Sequence, residues 1–297
     1  MHQNSAIYAI YFMMTIPYNQ LMNQIKKFAV IGHPITHSKS PMIHRLFAEQ
    51  FDLQLSYEKF DFLPEQFQYK LDALQEQEYA GVNVTLPFKK NAFSYCNQLS
   101  EKALQAESVN TIIFKKNQIY GDTTDGIGLV NDLFLHKVKL TSSNILLLGA
   151  GGAAQAALID LIINRPATLA VYNRTLEKVE MLVNKYKDKA SKHDVGLSVY
   201  NPNKVKFNFD VVINATSAGI LGNELPIAMN AFQSHAFYYD MTYGKETAFL
   251  REAKKCNANF SDGLGMLVCQ AAESFRLWHD GLSPNTQTVI DQLKKSF

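Results

Sequence analysis

From Lys26 onward, β-like apolar runs alternate with segments whose apolar residues recur at three- and four-residue spacing, which predicts an α/β fold built on parallel strands. "KFAVIG" reads as a strand, and "SPMIHRLFAEQF" as a helix with Pro41 in its first turn, where a missing N–H costs nothing. "LSYEKFDF" predicts a strand, "PEQFQYKLDAL" a helix and "GVNVT" another strand, followed by a short helix from Lys89. "NTIIFKK" and "QIYGDT" suit a hairpin, which makes this first sheet mixed, and Asp125 opens the next helix. A second unit begins at "SNILLLGAGGAAQAALIDLII", where the unbroken apolar run Ile145 to Leu148 suits a strand buried on both faces. "ATLAVYNRT", "FDVVINATSAG" and "HAFYYDMTYG" continue as strands whose ends face the carboxyl edge of a sheet, where α/β proteins bind ligands. "NFSDGLGMLVCQAAESFRLWHDG" predicts a short strand, an Asp-Gly turn and a long apolar helix. "SPNTQTVIDQLKKSF" closes the chain with a helix for which Ser283 and Pro284 suit the cap and first position.

The run from Gly149 to Ala154 is GxGxxA in strand-turn-helix context. Gly149 allows the tight turn, Gly151 lets the backbone approach a pyrophosphate, and Ala154 is small enough for the helix to pack on the strand. The helix N-terminus supplies N–H groups and a positive dipole end, so Gly149, Ala150, Gly151, Gly152 and Ala153 are the candidate phosphate contacts. The next strand ends in Asn173, Arg174 and Thr175, with Lys178 one turn into the following helix. No carboxylate stands at that tip to accept from a ribose 2′-hydroxyl. A guanidinium there pairs with a 2′-phosphate, Lys178 adds a second positive charge and Thr175 a hydroxyl donor, which reads as NADP. The ordinary alternative is Thr175 as a helix cap beside an exposed arginine.

Composition limits the partners. The chain has 297 residues, 47% hydrophobic and 19% charged, with a formal charge of +2, and Lys and Arg are scattered without forming a run. Neither nucleic acid nor an anionic membrane surface is suggested, and small molecules are the expected partners. Cys96, Cys256 and Cys269 show no CxxC spacing, and a reducing cytoplasm fits them best. There is no HExxH pattern and no cluster of acidic residues at ligand spacing, so no metal is expected. The apolar stretch Ala6 to Ile16 is too short to span a bilayer and lacks a signal-peptide pattern. Residues 1–25 are read as an extension, either mobile or the product of a start assigned upstream of Met22, the second being favoured.

Taken together, "GHPITHSKSP", "GVNVTLPFK", "SVNT", "DTTDGIG", "LLGAGGAA", "YNRT", "INATSAG", "YDMTYG" and "DGLGMLVCQAA" resemble, in order and spacing, the shikimate dehydrogenases, over residues 28 to about 297. The resemblance implies a two-domain α/β fold with a cleft between the domains. The αβ substrate domain with its mixed sheet would span 26–125, completed by helices at 266–297, and a Rossmann NADP-binding domain would span 126–265. It implies NADPH-dependent reduction of 3-dehydroshikimate to shikimate. That reaction needs a proton donor and a negative-charge stabiliser beside a ring carbonyl, both of which Lys89 can be, and the resemblance pairs Lys89 with Asp125. By the same resemblance, Ser38, Ser40 and Tyr243 hold the substrate carboxylate. Asn110, Thr85 and Gln270 meet the ring hydroxyls. Thr216 faces the cofactor, and Met241 and Gly263 lie against the nicotinamide. From spacing alone, two serines before a proline-led helix are more often caps than ligands.

One position departs from the family pattern: Thr123 stands where members usually have Asn, and a modest change in the support of Asp125 is expected from it. Glycines at the two domain crossings, near Asp125 to Gly128 and Asp262 to Gly265, suggest hinge closure. Monomer and homodimer are both compatible with the sequence. Two rivals are weighed: a quinate/shikimate dehydrogenase of broader substrate and cofactor use, opposed by Ser40 and Arg174, and a non-catalytic NADP-binding sensor, opposed by the joint presence of Lys89 and Asp125.

Overall fold

The computed structural model describes residues 25–202, 208–216 and 232–295. The extension before residue 25, and Ser217 to Gly219 of "INATSAG", lie outside them. The chain folds into a two-domain α/β structure around two six-stranded sheets. The first contains β1 (Lys26–Gly32), β2 (Leu55–Asp61), β3 (Tyr79–Val84), β4 (Gln98–Leu99), β5 (Thr111–Lys115) and β6 (Gln118–Asp122), in the order β2-β1-β3-β5-β6-β4. Its mixed character comes from the β5–β6 hairpin, which turns between Lys115 and Gln118 and pairs antiparallel to β3. Between the strands run α1 (Ser40–Glu49), α2 (Phe67–Glu76), α3 (Lys89–Tyr95) and α4 (Glu101–Ala106).

The second sheet contains β7 (Asn144–Leu148), β8 (Thr168–Tyr172), β9 (Gly196–Val199), β10 (Val211–Asn214), β11 (Phe237–Asp240) and β12 (Asn259–Ser261), all parallel, in the order β9-β8-β7-β10-β11-β12. This is the doubly wound order, whose direction reverses between β7 and β10. The central strand shows why its sequence is unbroken in apolarity. Ile145 and Leu147 enter one hydrophobic core while Leu146 and Leu148 enter the core on the opposite face, and all four are fully buried. The surrounding helices are α5 (Asp125–Leu135), α6 (Gly152–Ile163), α7 (Leu176–Lys192) and α8 (Ala248–Lys255).

The chain ends with α9 (Leu264–Trp278) and α10 (Thr286–Lys294), which leave the second sheet and pack on α1. Phe275, Val268 and Leu293 meet Ile43 and Phe47 there in a common core. Each fully buried side chain of that size stabilises the contact by roughly 1.5–3 kcal/mol. α10 does not begin at Ser283 and Pro284 as expected. Its cap is Asn285, whose side chain accepts from Thr288 N–H, because the Gln50 side chain brackets the Asn285 backbone and holds that residue outside the helix. Ser283 donates instead to the Gly281 carbonyl. Two short helices escaped the periodicity reading altogether: α4, capped by Ser100, and α8, capped by Thr247.

The glycines at the crossings are required by contact. A Cβ on Gly128 would stand 2.7 Å from Gln270 Cβ, one on Gly265 1.9 Å from Asp132 Oδ1, and one on Gly126 2.3 Å from Asp160 Oδ2. None of the three has a positive φ, so packing and not backbone conformation excludes a side chain. A further tie joins the domains through α4: Lys102 Nζ lies 2.6 Å from the buried Asp160 carboxylate, and Tyr186 donates to the Gln105 carbonyl at 2.7 Å.

Two histidines sit in the aromatic core beneath β1. His44 stacks on Tyr57 with ring centroids 4.4 Å apart, and His279 on Phe275 at 4.1 Å. Burial, aided by the neighbouring His279, pushes the His44 pKa down to about 3, against a smaller opposing pull from Asn83. Burial, aided by Lys26 and opposed by Asp280, pushes that of His279 down to about 4. Both rings are neutral when folded and take up protons when unfolded below the ordinary value of 6.5. Their contribution to stability is full above that value and is lost as pH falls toward the folded values. Thermal unfolding between pH 7 and pH 4 is expected to show a falling midpoint in the native protein, and a shallower fall in His279→Phe measured over the same range.

Candidate active site

The candidate reacting groups come from two helix starts. β3 runs out at Val84, a tight turn follows, and Lys89 is the first residue of α3; Asp125 is the first residue of α5. Lys89 Nζ donates to Asp125 Oδ2, closing an ion pair whose side chains are 26% and 12% exposed. The dipole of α5 favours the carboxylate, whereas that of α3 disfavours the ammonium, so Lys89 depends on its partner for compensation. The other carboxylate oxygen accepts from Asn110 Nδ2 at 2.8 Å, and Asn110 Oδ1 accepts from Thr124 N–H at 2.9 Å. Gln270 reaches the same amide from α9, its Oε1 3.3 Å from Asn110 Nδ2.

These groups open into a cavity of about 440 Å³ between the two sheets. Ser38, Ser40, Thr85 and Tyr243 line it together with Lys89, Asp125, Asn110 and Gln270, and Met241 and Gly263 form its side toward the second sheet. The serines are paired: Ser38 Oγ donates to Ser40 Oγ at 3.2 Å and accepts from Ser40 N–H at 3.3 Å. Ser38 thus helps to start α1, yet the cap position itself belongs to Lys39, which makes no side-chain capping bond. Burial raises the pKa of Tyr243 and keeps its phenol a donor. Gly263 is needed for close approach, since a Cβ there would lie 2.2 Å from the Met241 carbonyl oxygen. A wider groove of about 600 Å³ lies on the outer face near Phe67, Lys90 and Tyr95 and contains none of the predicted site residues.

The nucleotide-loop residues do not line this cavity. They stand at the carboxyl edge of the second sheet, where its strand order reverses. Gly149, with φ at +112°, turns the chain out of β7, and a Cβ on it would press on Ala215 at 3.1 Å. Gly151 caps α6, and a Cβ at Gly151 or Gly152 would meet no atom of the described residues within 4 Å. Packing among the described residues therefore does not require glycine at either position, whereas backbone approach by a phosphate does. Ala154 is fully buried under the helix, Ala150 packs against the same core and Ala153 lies in the helix's first turn. Asn173, Arg174, Thr175 and Lys178 follow β8, with Arg174, Thr175 and Lys178 exposed. Thr175 occupies the cap position of α7 without making a capping bond, so that ordinary use of its hydroxyl is not taken up. Thr216 donates to Asn214 Oδ1 from both its backbone N–H and its hydroxyl, at 3.1 and 2.7 Å. The donor set fits a dinucleotide with an anionic ribose. Among the described residues, no group of three or more His, Cys, Asp or Glu side chains could hold a metal ion.

Comparison with known proteins bears on the same parts of the chain. The family description "Shikimate dehydrogenase substrate binding domain" matches residues 30–112, "Shikimate / quinate 5-dehydrogenase" residues 132–241, and "Shikimate 5'-dehydrogenase C-terminal domain" residues 263–294. A protein of Methylobacillus flagellatus named shikimate dehydrogenase (NADP(+)) is 42% identical over 271 residues, 90% of this chain and 98% of that one. The chain belongs to the shikimate dehydrogenase family. Another member so named, from Laribacter hongkongensis, is 43% identical over 90% of this chain and 97% of its own length. The Thermus thermophilus shikimate 5-dehydrogenase, solved in complex with NADP(H) and shikimate, superposes with a TM-score of 0.83 at 30% identity, covering 92% of this chain and 100% of that one.

In this member of the shikimate dehydrogenase family, several supporting residues lie beyond what spacing could reveal. Asp240 is fully buried at the end of β11 and accepts from Thr242 N–H, Asn214 Nδ2 and Thr247 Oγ1 at 2.9, 3.1 and 2.7 Å, which ties the loops after β10 and β11 together. Tyr57 donates to Asn83 Oδ1 at 2.7 Å behind the serine pair, and burial raises its pKa well above the ordinary value. The only available signal was a polar residue inside an otherwise apolar strand, "FYYD" for Asp240 and "GVNV" for Asn83.

Thr123 is 3% exposed, and its Oγ1 has no hydrogen-bond partner among the described residues. A buried hydroxyl without a partner is a cost of order 1–3 kcal/mol. Thr123→Val keeps the shape and removes the hydroxyl. It is expected to leave the unfolding midpoint unchanged or higher and turnover within about threefold of native, as measured by thermal unfolding and steady-state kinetics.

Proposed function

We propose that the protein catalyses the reversible, NADPH-dependent reduction of 3-dehydroshikimate to shikimate, in the route to chorismate and the aromatic amino acids. The observation that carries this reading is the Lys89–Asp125 ion pair inside a cavity that also presents two serine hydroxyls, a tyrosine and two amides. Ser38, Ser40 and Tyr243 offer neutral donors to the substrate carboxylate. Thr85, Asn110 and Gln270 meet the ring hydroxyls, and an analogue lacking one would leave a buried amide unpaired. When bound, NADPH supplies hydride to the ring carbonyl carbon. Lys89 donates a hydrogen bond to the carbonyl oxygen as the C=O π electrons move onto it, then transfers its proton there, leaving a hydroxyl and a neutral amine. Asp125 holds the ammonium in place and accepts from a neighbouring ring hydroxyl. In the oxidative direction the Lys89 amine takes the proton back.

For the cofactor, Gly149 to Ala153 hold the pyrophosphate, Arg174, Lys178 and Thr175 the 2′-phosphate, and Thr216, Met241 and Gly263 the nicotinamide side. Residues 26–125 with 266–297 form the substrate domain and 126–265 the cofactor domain, and a monomer or homodimer in the cytoplasm suits three cysteines that form no disulfide. One family description names quinate beside shikimate, which favours broader substrate use as the second reading.

Turnover followed by nicotinamide absorbance, offering shikimate or quinate with NADP or NAD, separates the two. Activity confined to shikimate with NADP supports the first reading; comparable rates with quinate or NAD support the second; no activity in any pairing defeats both. Lys89→Ala is expected to lower turnover by about a thousandfold with NADP affinity preserved. Arg174→Ala is expected to raise KM for NADP about 10- to 100-fold while that for shikimate stays put.

A further inference from the structure

Ser274 lies on α9, one turn beyond Gln270, and is fully buried. Serine is less favourable than alanine inside a helix, so a buried one calls for partners elsewhere. Here the partners come from strands of the first sheet and the start of α5, far away in sequence. Ser274 Oγ accepts from Asn83 Nδ2 at 2.9 Å, shares a hydrogen bond with Thr111 Oγ1 at 2.8 Å, stands 3.4 Å from Thr124 Oγ1, and lies 3.1 Å from the Gln270 carbonyl of its own helix.

Each hydroxyl has one proton, so only certain arrangements are self-consistent. Thr111 Oγ1 donates to Asn110 Oδ1 at 3.0 Å. The Ser274 proton then goes to Thr111 Oγ1, the shortest of its three acceptor contacts. In the opposite order, Thr111 donates to Ser274, Ser274 turns to Gln270 O, and Asn110 Oδ1 loses a donor. That oxygen, left then with the Thr124 N–H at 2.9 Å, helps to fix the Asn110 amide, whose other end donates to Asp125 Oδ1 at 2.8 Å. Turned over, the amide would set its own oxygen against the carboxylate.

We propose that Ser274 is a positioning residue for the reaction: through Thr111 it orders the Asn110 amide, and so holds the N–H donor on the Asp125 carboxylate that orients Lys89. This rests on the reading of Lys89 and Asp125 as the reacting pair. No atom of Ser274 needs to touch substrate.

Steady-state kinetics with shikimate and NADP, alongside thermal unfolding and NADP titration, test it on Ser274→Ala, Thr111→Val, Thr111→Ser, the Ser274→Ala/Thr111→Val double variant and Lys89→Ala. In Ser274→Ala and in Thr111→Val, kcat is expected to fall about 10- to 100-fold. KM is expected to move less than about threefold and NADP affinity to hold. Thr111→Ser keeps the hydroxyl and is expected to regain most of the loss, and the double variant to fall no further than the worse single, since the two hydroxyls act as one relay. A Ser274→Ala kcat within about twofold of native, with only the unfolding midpoint lowered, overturns the proposal, as do losses that multiply in the double variant. If Ser274→Ala does not fold, the contrast between Thr111→Val and Thr111→Ser decides. Full activity in Lys89→Ala defeats the reacting-pair reading itself, whereas an inactive Lys89→Ala beside a fully active Ser274→Ala defeats the relay alone.

Discussion

The crossing of α5 and α9 is the constraint on which the site depends. Gly128 faces Gln270 and Gly265 faces Asp132, each at a distance that admits no side chain, so the helices meet closely at both ends of their contact, against the Gln270 backbone at one and the Asp132 carboxylate at the other. One helix begins with Asp125 and the other carries Gln270 and Ser274. Their separation therefore sets whether Gln270 can reach the Asn110 amide and the Thr124 hydroxyl beside Asp125. Beneath the crossing Asp132 accepts from Tyr239 at 2.6 Å, which fastens α5 to the second sheet by the same carboxylate that crowds Gly265. A methyl group on either glycine would spread the helices and pull the polar groups out of bonding range.

The polar interior built on that crossing illustrates how low dielectric acts in both directions. Asn83, Asn110, Thr111, Thr124 and Ser274 are all nearly or wholly buried, and each finds partners among the others, so none carries an unpaired desolvation cost. Such a closed network resists rotation of its members, which is what pre-organised catalysis requires of the groups around a charge. Thr123, two residues from the Asp125 carboxylate, keeps its hydroxyl outside the network and contributes only shape.

Much of this fold was legible in local pattern. The apolar run of β7, the GxGxxA turn and the hairpin of β5 and β6 depend on neighbours in sequence, so their residues declare themselves. What escaped depends on partners far along the chain. Asn285 caps α10 because Gln50, at the end of α1, holds it there, and no reading of "SPNTQT" alone could favour it over Ser283. α4 is too short for periodicity to register, although Ser100 caps it by the usual rule. Within the site, Lys89 and Asp125 were reached through motif resemblance and chemistry. Ser274 and Asp240 were invisible because a single serine or aspartate within an apolar segment says nothing until the opposing strand is known. The crossing glycines were read as flexibility, and the folded chain explains them as contact surface.

α9 also acts as a ruler. Its cap residue, Gly263, borders the cavity on the side of the second sheet, and Gln270, seven residues on, borders it beside Asn110. At 1.5 Å per residue these points are about 10 Å apart along a rigid axis. The distance between the two halves of the cavity is thereby written into helix pitch and does not rest on loop conformation. A bulkier ring could be admitted by trimming side chains at the far wall, but a change in reach between cofactor and ring would require inserting or deleting residues in α9, and each step would rotate Gln270 by about 100° away from its task.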